Sequence, residues 1–201
     1  VAVLSGVLGW GYNNLYAVIT RRIKRDTTHN ILIKVLVGSI IASWLGWLIN
    51  PNILGTSRRI VYSLFSIDKS YLIGNLDFGI PFAVLLLILL SVKAFCNCLT
   101  VGSGMSAGFT GPTVIVGMLL GASIATIIGV SNGHANYYAC IAAGFAGMLA
   151  GSMNVPLAAA IITIECFGLQ YSFPAGIAAV VGFQINRFNT IYDYALKSES
   201  R

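Results

Sequence analysis

The sequence predicts an all-α membrane protein, a polytopic bundle of tilted and partly broken helices. Hydrophobic residues make up 57% of the 201 residues and charged residues only 9%, whereas soluble domains carry about 25% charged residues. The apolar residues also fall in long blocks separated by short polar breaks, which is typical of helices that cross a lipid bilayer. This composition excludes a soluble domain, a disordered chain and a nucleic-acid-binding protein.

The first part of the chain predicts two membrane helices and a long loop. Residues 1–20 are apolar and end at a basic loop, 21–28, which we expect to face the cytoplasm because short positive loops stay on that side. Residues 31–49 form a second span that stops at Pro51, since the residue before a proline disfavours helix. Residues 52–78 carry several charges and indicate a loop that holds short amphipathic helices.

The rest of the chain predicts shorter and more interrupted helices. Five apolar stretches follow, 80–99, 112–130, 136–153, 155–168 and 173–186, and the last three have almost no loop between them. The last two are shorter than the roughly 20 helical residues that a bilayer crossing needs. A further short helix is predicted at 190–200. Short helices interrupted by proline and glycine are the elements that form binding sites within membranes.

A glycine-rich segment, 102–112, precedes the fourth span and reads GSGMSAGFTGP. Pro112 suits the first position of a helix, because its missing N–H would be unpaired there. The segment therefore places free N–H groups, from Phe109 to Thr113, at a helix start, where the donors and the helix dipole favour an anion. The spacing by itself fits equally well glycines that only allow close helix packing.

Three ordered blocks of the sequence resemble the CLC chloride channels and transporters. They are Gly102-Ser103-Gly104 through Gly108-Phe109-Thr110-Gly111-Pro112, then Ala142–Gly147 with Asn154–Ala159 and Glu165, and finally Ile191-Tyr192-Asp193. The resemblance covers residues 80–201 and implies an inverted-repeat fold whose subunit has two halves. Residues 1–201 are accordingly expected to be the C-terminal half of the membrane domain, with the N-terminal half as a partner.

The resemblance also implies which residues bind the anion. The backbone N–H groups of Phe109 and Thr110 would bind it at the helix start, and the Tyr192 hydroxyl would donate to the same ion. The residues that would shape the loop around the site are Gly108, Gly111 and Pro112. The family has Phe at position 110, where this sequence has Thr110. Backbone binding does not depend on that side chain, whereas the width and polarity of the pore do.

The function implied by the resemblance is transport of chloride or a similar monovalent anion. The transporter would be a channel or a proton-coupled exchanger, working as a homodimer in the lipid bilayer of the cell membrane. An alternative is a split or orphan membrane subunit with a structural assembly role and no transport of its own. An enzyme is not expected, because His29 and His134 lie in loops and no catalytic pair stands at membrane depth. No cofactor, metal or nucleic-acid partner is expected.

Glu165 is an acidic residue within an otherwise apolar helix. Carboxylates inside a membrane are often functional, so this one could relay protons or pair with Lys93 or Arg187. Its position near the end of a short helix favours a structural role instead. In that role the carboxylate reaches the membrane interface or caps a neighbouring helix.

Overall fold

The computed structural model describes residues 1–25, 31–66, 69–75, 80–130 and 132–191. All regular elements within these ranges are helices, which confirms the predicted all-α class. The α-helices are α1 (Ala2–Arg25), α2 (Ile31–Ile49), α3 (Arg58–Phe65), α4 (Ser70–Ile73), α5 (Phe82–Gly102), α6 (Thr110–Ile127), α7 (Ala135–Met153), α8 (Pro156–Phe167) and α9 (Ser172–Asn186). Short 3-10 turns occupy Pro51–Ile53 and Leu169–Tyr171.

The predicted helix boundaries hold to within about three residues, except at the end of α1. That helix continues through Arg25 instead of ending at residue 20, so the first residues of the expected basic loop are helical. Arginine and lysine are good helix formers, and cations in a last turn complement the helix dipole. The short helices expected within 52–78 are present as α3 and α4. The helix predicted at 190–200 lies almost wholly outside the described residues.

Within the described ranges, three helices are long and apolar enough to cross a membrane, namely α2, α5 and α6. By contrast, α8 has 12 residues and α9 has 15, as expected for two short helices. The side chains of α2 are largely exposed, including Trp44 and Trp47. Because lipid provides no hydrogen-bonding partners, an exposed apolar helix surface is suited to contact with acyl chains.

The core of the bundle is α7, which packs against α6, α9 and α1. Glycines make these contacts close: a Cβ on Gly144 would collide with the Gly117 carbonyl of α6, and one on Gly182 would collide with the Gly147 carbonyl of α7. Helices in membranes associate through such small residues because close backbones gain dispersion contact. The position of α6 is therefore set by backbone-to-backbone contact with α7.

Buried polar side chains connect α1 to the rest of the bundle. The Asn13 amide donates to the carbonyls of Ser152, at 3.1 Å, and Asn189, at 2.9 Å. The neighbouring Tyr12 hydroxyl accepts a hydrogen bond from the Asn97 amide of α5. Such bonds satisfy polar groups that would otherwise be left unpaired in an apolar interior. They hold three helices and the segment that follows α9 in one arrangement.

Candidate functional site

The start of α6 presents backbone donors that the helix does not use. Phe109 is the N-cap residue, and no side chain caps this end. The first intrahelical bond runs from the Thr113 N–H to the Phe109 carbonyl, at 3.0 Å. Among the described residues, no backbone acceptor is recorded for the N–H groups of Phe109, Thr110 and Gly111. Three adjacent amides with the positive end of a helix dipole favour a negatively charged ligand.

Two details of this helix start differ from the prediction. Pro112 is the third residue of α6, not the first. A proline is tolerated there for the same reason, since the first four N–H groups of a helix have no intrahelical acceptor. The N–H of Thr113 is already bonded, so the free donors extend from Phe109 to Gly111 and not to Thr113.

Two of the three predicted anion-binding residues, Phe109 and Thr110, direct their side chains towards α1 and α7. The Phe109 ring packs edge-on against Tyr16 of α1, with 4.8 Å between ring centroids. The exposed Thr110 donates its hydroxyl hydrogen to the sulfur of Met153, at 3.7 Å. Phe109 thus anchors the segment to α1, and a small polar side chain stands at the position where the family has a large aromatic one.

The loop before α6 leaves space along its backbone. Gly104 has φ +99°, a conformation that favours glycine, and it turns the chain out of α5. A Cβ built on Gly108 or Gly111 would meet no described atom within 4 Å. The predicted loop-shaping glycines are therefore exposed positions at which a ligand can approach the main chain closely.

A cavity of about 580 Å³ lies beside this segment. Its walls come from α2, residues 53–56, α5 and residues 105–112, and they include Gly108, Gly111 and Pro112. The polar side chains that line it are Ser39, Ser43, Thr56, Lys93, Asn97 and Thr100. All of these can donate a hydrogen bond. The Ser39 and Thr100 hydroxyls already donate to the Leu36 and Cys96 carbonyls, so the free donors beside the cavity are chiefly the backbone amides of the loop.

The structure does not test every predicted site residue. Tyr192 lies outside the described residues, although Ile191 before it is fully buried. Glu165 is exposed on α8. The ammonium of Lys93 donates to two backbone carbonyls, and the Arg187 guanidinium lies over the Phe188 ring, 4.5 Å from its centroid. Within the described part of the chain, neither cation is recorded in an ion pair with Glu165, so that suggested pairing is not formed.

Sequence reasoning missed the polar residues that support the site from α1 and α5. Asn97 lines the cavity and also bonds Tyr12. Lys93 was visible as a charge within an apolar span, and that was the available signal for a buried functional group. Asn13 and Tyr12 sit in a helix with no distinctive pattern around them, so their partners could be found only in three dimensions.

Comparison with known proteins supports the fold. An uncharacterized protein of Methanocaldococcus jannaschii is 32% identical over 162 residues, which are 81% of this chain and 36% of that protein. The H(+)/Cl(−) exchange transporter ClcA of Vibrio cholerae is 39% identical over 84 residues, 42% of this chain and 18% of the transporter. A solved CLC-type fluoride/proton antiporter has a TM-score of 0.77 at 21% identity, over 96% of this chain and 44% of that one.

The structural likeness confirms the predicted CLC-type fold, and the chain spans less than half the length of each of these three proteins. A family model described as "Voltage gated chloride channel" matches residues 1–187. The protein is thus an integral membrane protein, with α2, α5 and α6 long enough to span the bilayer. Because the family model matches nearly the whole chain, the protein belongs to the voltage gated chloride channel (CLC) family.

Proposed function

We propose that this chain forms the C-terminal half of a CLC-type anion transporter and binds a monovalent anion at the start of α6. The observation that carries the proposal is the set of three free amides, at Phe109, Thr110 and Gly111, at the start of a membrane helix. A channel or transporter in this family moves ions and catalyses no covalent chemistry. The backbone donors replace part of the hydration shell that the anion loses.

An energy comparison indicates that this site needs further donors. Transfer of an ion from water to an apolar medium costs tens of kcal/mol in the limiting case. Each hydrogen bond to a charged group returns about 1.5–3 kcal/mol, and a helix end up to about 2 kcal/mol. Three amides, one hydroxyl from Tyr192 and the α6 dipole therefore offset about 10 kcal/mol. We infer that the N-terminal half of the same subunit supplies the remaining donors.

Chloride, or a similar small anion such as fluoride, is the proposed substrate. The Vibrio cholerae relative is named as a chloride exchanger and the solved structure as a fluoride antiporter, and both names include the proton. These names favour proton-coupled exchange over a channel. A channel would conduct the anion without moving protons, which separates the two mechanisms experimentally.

We further propose that the α8–α9 region forms the contact between two subunits. Its exposed surface is strongly apolar, with Leu169 82% and Phe173 77% exposed. Large apolar side chains at this density suit either lipid or a second subunit. A homodimer with one pathway in each subunit fits this surface.

The test of the proposed function uses the full-length protein in liposomes, with efflux of chloride and of fluoride measured with and without a proton gradient. We expect anion efflux, and in an exchanger the proton gradient should drive that efflux. Thr110→Phe should slow efflux and change the chloride-to-fluoride ratio, because a large ring replaces a small polar side chain beside the free amides. Tyr192→Phe should weaken anion affinity by about 10-fold to 150-fold, the effect of one lost hydrogen bond to a charged group.

The matched control is Thr126→Phe, the same substitution at the opposite end of α6, where the hydroxyl donates to the Ala122 carbonyl of its own helix. It should leave selectivity unchanged. If Thr110→Phe and Tyr192→Phe both keep the anion selectivity and affinity of the wild type, the assignment of the site is contradicted. A full-length protein that assembles in the membrane but carries no anion would instead support the assembly role.

A further inference from the structure

The C-terminal end of α1 carries a dense group of cations, Arg21, Arg22, Lys24 and Arg25, and the helix continues through all of them. Residues three or four apart on a helix are neighbours, so Arg21 lies next to Lys24 and Arg25, and Arg22 lies next to Arg25. Each pair of like charges disfavours the helix. The end of the helix dipole offsets part of this repulsion. A bound negative group would offset more of it.

The described part of the chain does not neutralise this end of α1. The sole carboxylate within the described ranges is Glu165 of α8, and no ion pair between it and α1 is recorded there. Asp26 follows in the sequence and lies outside the described residues, and one acid does not balance four cations. Arg22 and Arg25 are exposed. Their guanidinium groups are therefore accessible to a negative group that the described chain does not contain.

The charged groups reach back along α1 towards its apolar part. Long side chains on an α-helix point towards the helix N-terminus, and residues 2–20 of α1, which precede the cations, are largely apolar. Arg21 shows this direction, because its Nε donates to the Ala17 carbonyl, one turn earlier, at 3.0 Å. The guanidinium groups thus lie near the level at which the apolar segment ends. Lipid phosphates occupy that level of a bilayer.

The start of α2 lies against this end of α1. The Lys34 ammonium of α2 donates to the Ile23 carbonyl of α1, at 3.0 Å. Apolar side chains nearby in sequence are exposed on both helices, with Ile31 72%, Leu32 70% and Val18 56% exposed. Cations beside exposed apolar side chains match the two parts of a phospholipid, a negative headgroup and acyl chains. We call this region the basic corner, formed by Arg21, Arg22, Lys24, Arg25 and Lys34.

We propose that the basic corner binds the phosphate of an anionic phospholipid in the surrounding membrane. The planar guanidinium groups of Arg22 and Arg25 donate to the phosphate oxygens, a geometry that arginine fits better than lysine does. Because short positive loops stay in the cytoplasm, we expect the lipid in the cytoplasmic leaflet. The inference goes beyond the proposed function and does not depend on it, since lipid binding requires no anion transport.

A purely topological role for these cations predicts a different result. Positive residues fix the orientation of a membrane helix while it inserts, and they need no bound lipid for that role once the protein has folded. In that case the folded protein binds anionic and zwitterionic lipids alike. Loss of two arginines then leaves lipid binding unchanged.

The expected size of the effect follows from the number of charges removed. Each cation near an anionic membrane surface strengthens binding about fivefold, the equivalent of about 1 kcal/mol. Removal of two arginines should therefore weaken binding of an anionic lipid about thirtyfold. High salt should reduce the binding in the wild type, because the charges are exposed.

The test uses the full-length protein in detergent micelles, titrated with phosphatidylglycerol or with phosphatidylcholine, and counts bound lipids by native mass spectrometry. The wild type should bind phosphatidylglycerol more tightly. In the double variant Arg22→Gln/Arg25→Gln, phosphatidylglycerol should bind about thirtyfold more weakly and phosphatidylcholine as before. Glutamine forms helix about as well as arginine, and Arg21 and Lys24 remain to orient the protein.

Two matched variants separate a site from net charge. Arg22→Lys/Arg25→Lys keeps both charges and should stay within about fivefold of the wild type. Arg58→Gln/Arg59→Gln removes two adjacent, exposed arginines from the first turn of α3 and should stay within about twofold. If this control weakens phosphatidylglycerol binding as much as the Arg22 and Arg25 variant does, binding follows net charge and the basic corner is not a site.

Glycerol phosphate, which has the headgroup chemistry without acyl chains, distinguishes a lipid from a soluble phosphate. It should not displace phosphatidylglycerol from the wild type, and displacement would overturn the assignment to a membrane lipid. The melting temperature of the wild type in nanodiscs gives a measurement that needs no variant. It should be higher in phosphatidylglycerol than in phosphatidylcholine, and high salt should reduce the difference. Equal melting temperatures, or equal affinities for the two lipids, would overturn the proposal.

Discussion

The packing of α6 on α7 provides the sharpest prediction about stability. We expect Gly144→Ala to destabilise the protein, because the added Cβ would lie 3.0 Å from the Gly121 nitrogen and 3.1 Å from the Gly117 carbonyl carbon, and closer still to the Gly117 oxygen. Ordinary contacts of a Cβ begin at 3.4 Å. The obstructing atoms are all backbone, so they cannot rotate away as a flexible side chain would, and α6 must move.

The magnitude follows from two opposing terms. Overpacking a close contact costs about 1–3 kcal/mol, and backbone neighbours place this site at the upper end. Replacing glycine by alanine within a helix returns about 0.5–1 kcal/mol through lower backbone entropy in the unfolded chain. The expected net loss is about 2 kcal/mol in the free energy of unfolding. Since α6 carries the free amides, the same displacement should also reduce anion flux.

The assay is urea unfolding of the full-length protein in detergent micelles, combined with efflux from liposomes. The control is Gly11→Ala, the same substitution in the middle of α1, where an added Cβ meets no described atom within 4 Å. It should leave stability unchanged or raise it by up to about 1 kcal/mol. The packing argument is refuted if Gly144→Ala unfolds at the same urea concentration as the wild type and transports at the same rate.

Two further predictions concern the buried polar bonds of α1. Tyr12→Phe removes the hydroxyl that accepts a hydrogen bond from the Asn97 amide. We expect the free energy of unfolding in the same urea assay to fall by about 1–3 kcal/mol, because a buried donor is left unpaired. A variant as stable as the wild type would show that another acceptor serves the amide. Asn13→Leu removes the amide that donates to both the Ser152 and the Asn189 carbonyls. We therefore expect faster amide hydrogen exchange around residue 189. Unchanged exchange there would contradict the role of Asn13 in holding that segment.

Local sequence patterns were sufficient for the class of protein and for most helix boundaries. The span 31–49 coincides with α2, because its apolar block and the proline after it act on neighbouring residues only. The end of α1 was not predicted correctly, because the basic residues 21–25 indicate the end of the apolar span but not the end of the helix. Arginine and lysine are good helix formers, so the helix continues through them.

The glycine-rich segment, 102–112, could be predicted only in part from the sequence. Its composition predicted a helix start with free amides from Phe109 to Thr113, but it could not distinguish an anion site from close helix packing. The structure separates the two uses of glycine within a few residues. Gly108 and Gly111 have open space beside them, whereas Gly117 lies against α7.

The sequence by itself determined that this is a helical membrane protein and predicted a helix that starts at a glycine-rich segment, because length, apolarity and glycine–proline spacing act between near neighbours along the chain. Only the tertiary structure decided which polar groups meet. Lys93 bonds a carbonyl 40 residues away and Asn13 bonds one 176 residues away. Contacts over such separations depend on how whole helices pack, and packing leaves no periodic signal at the residues that finally touch.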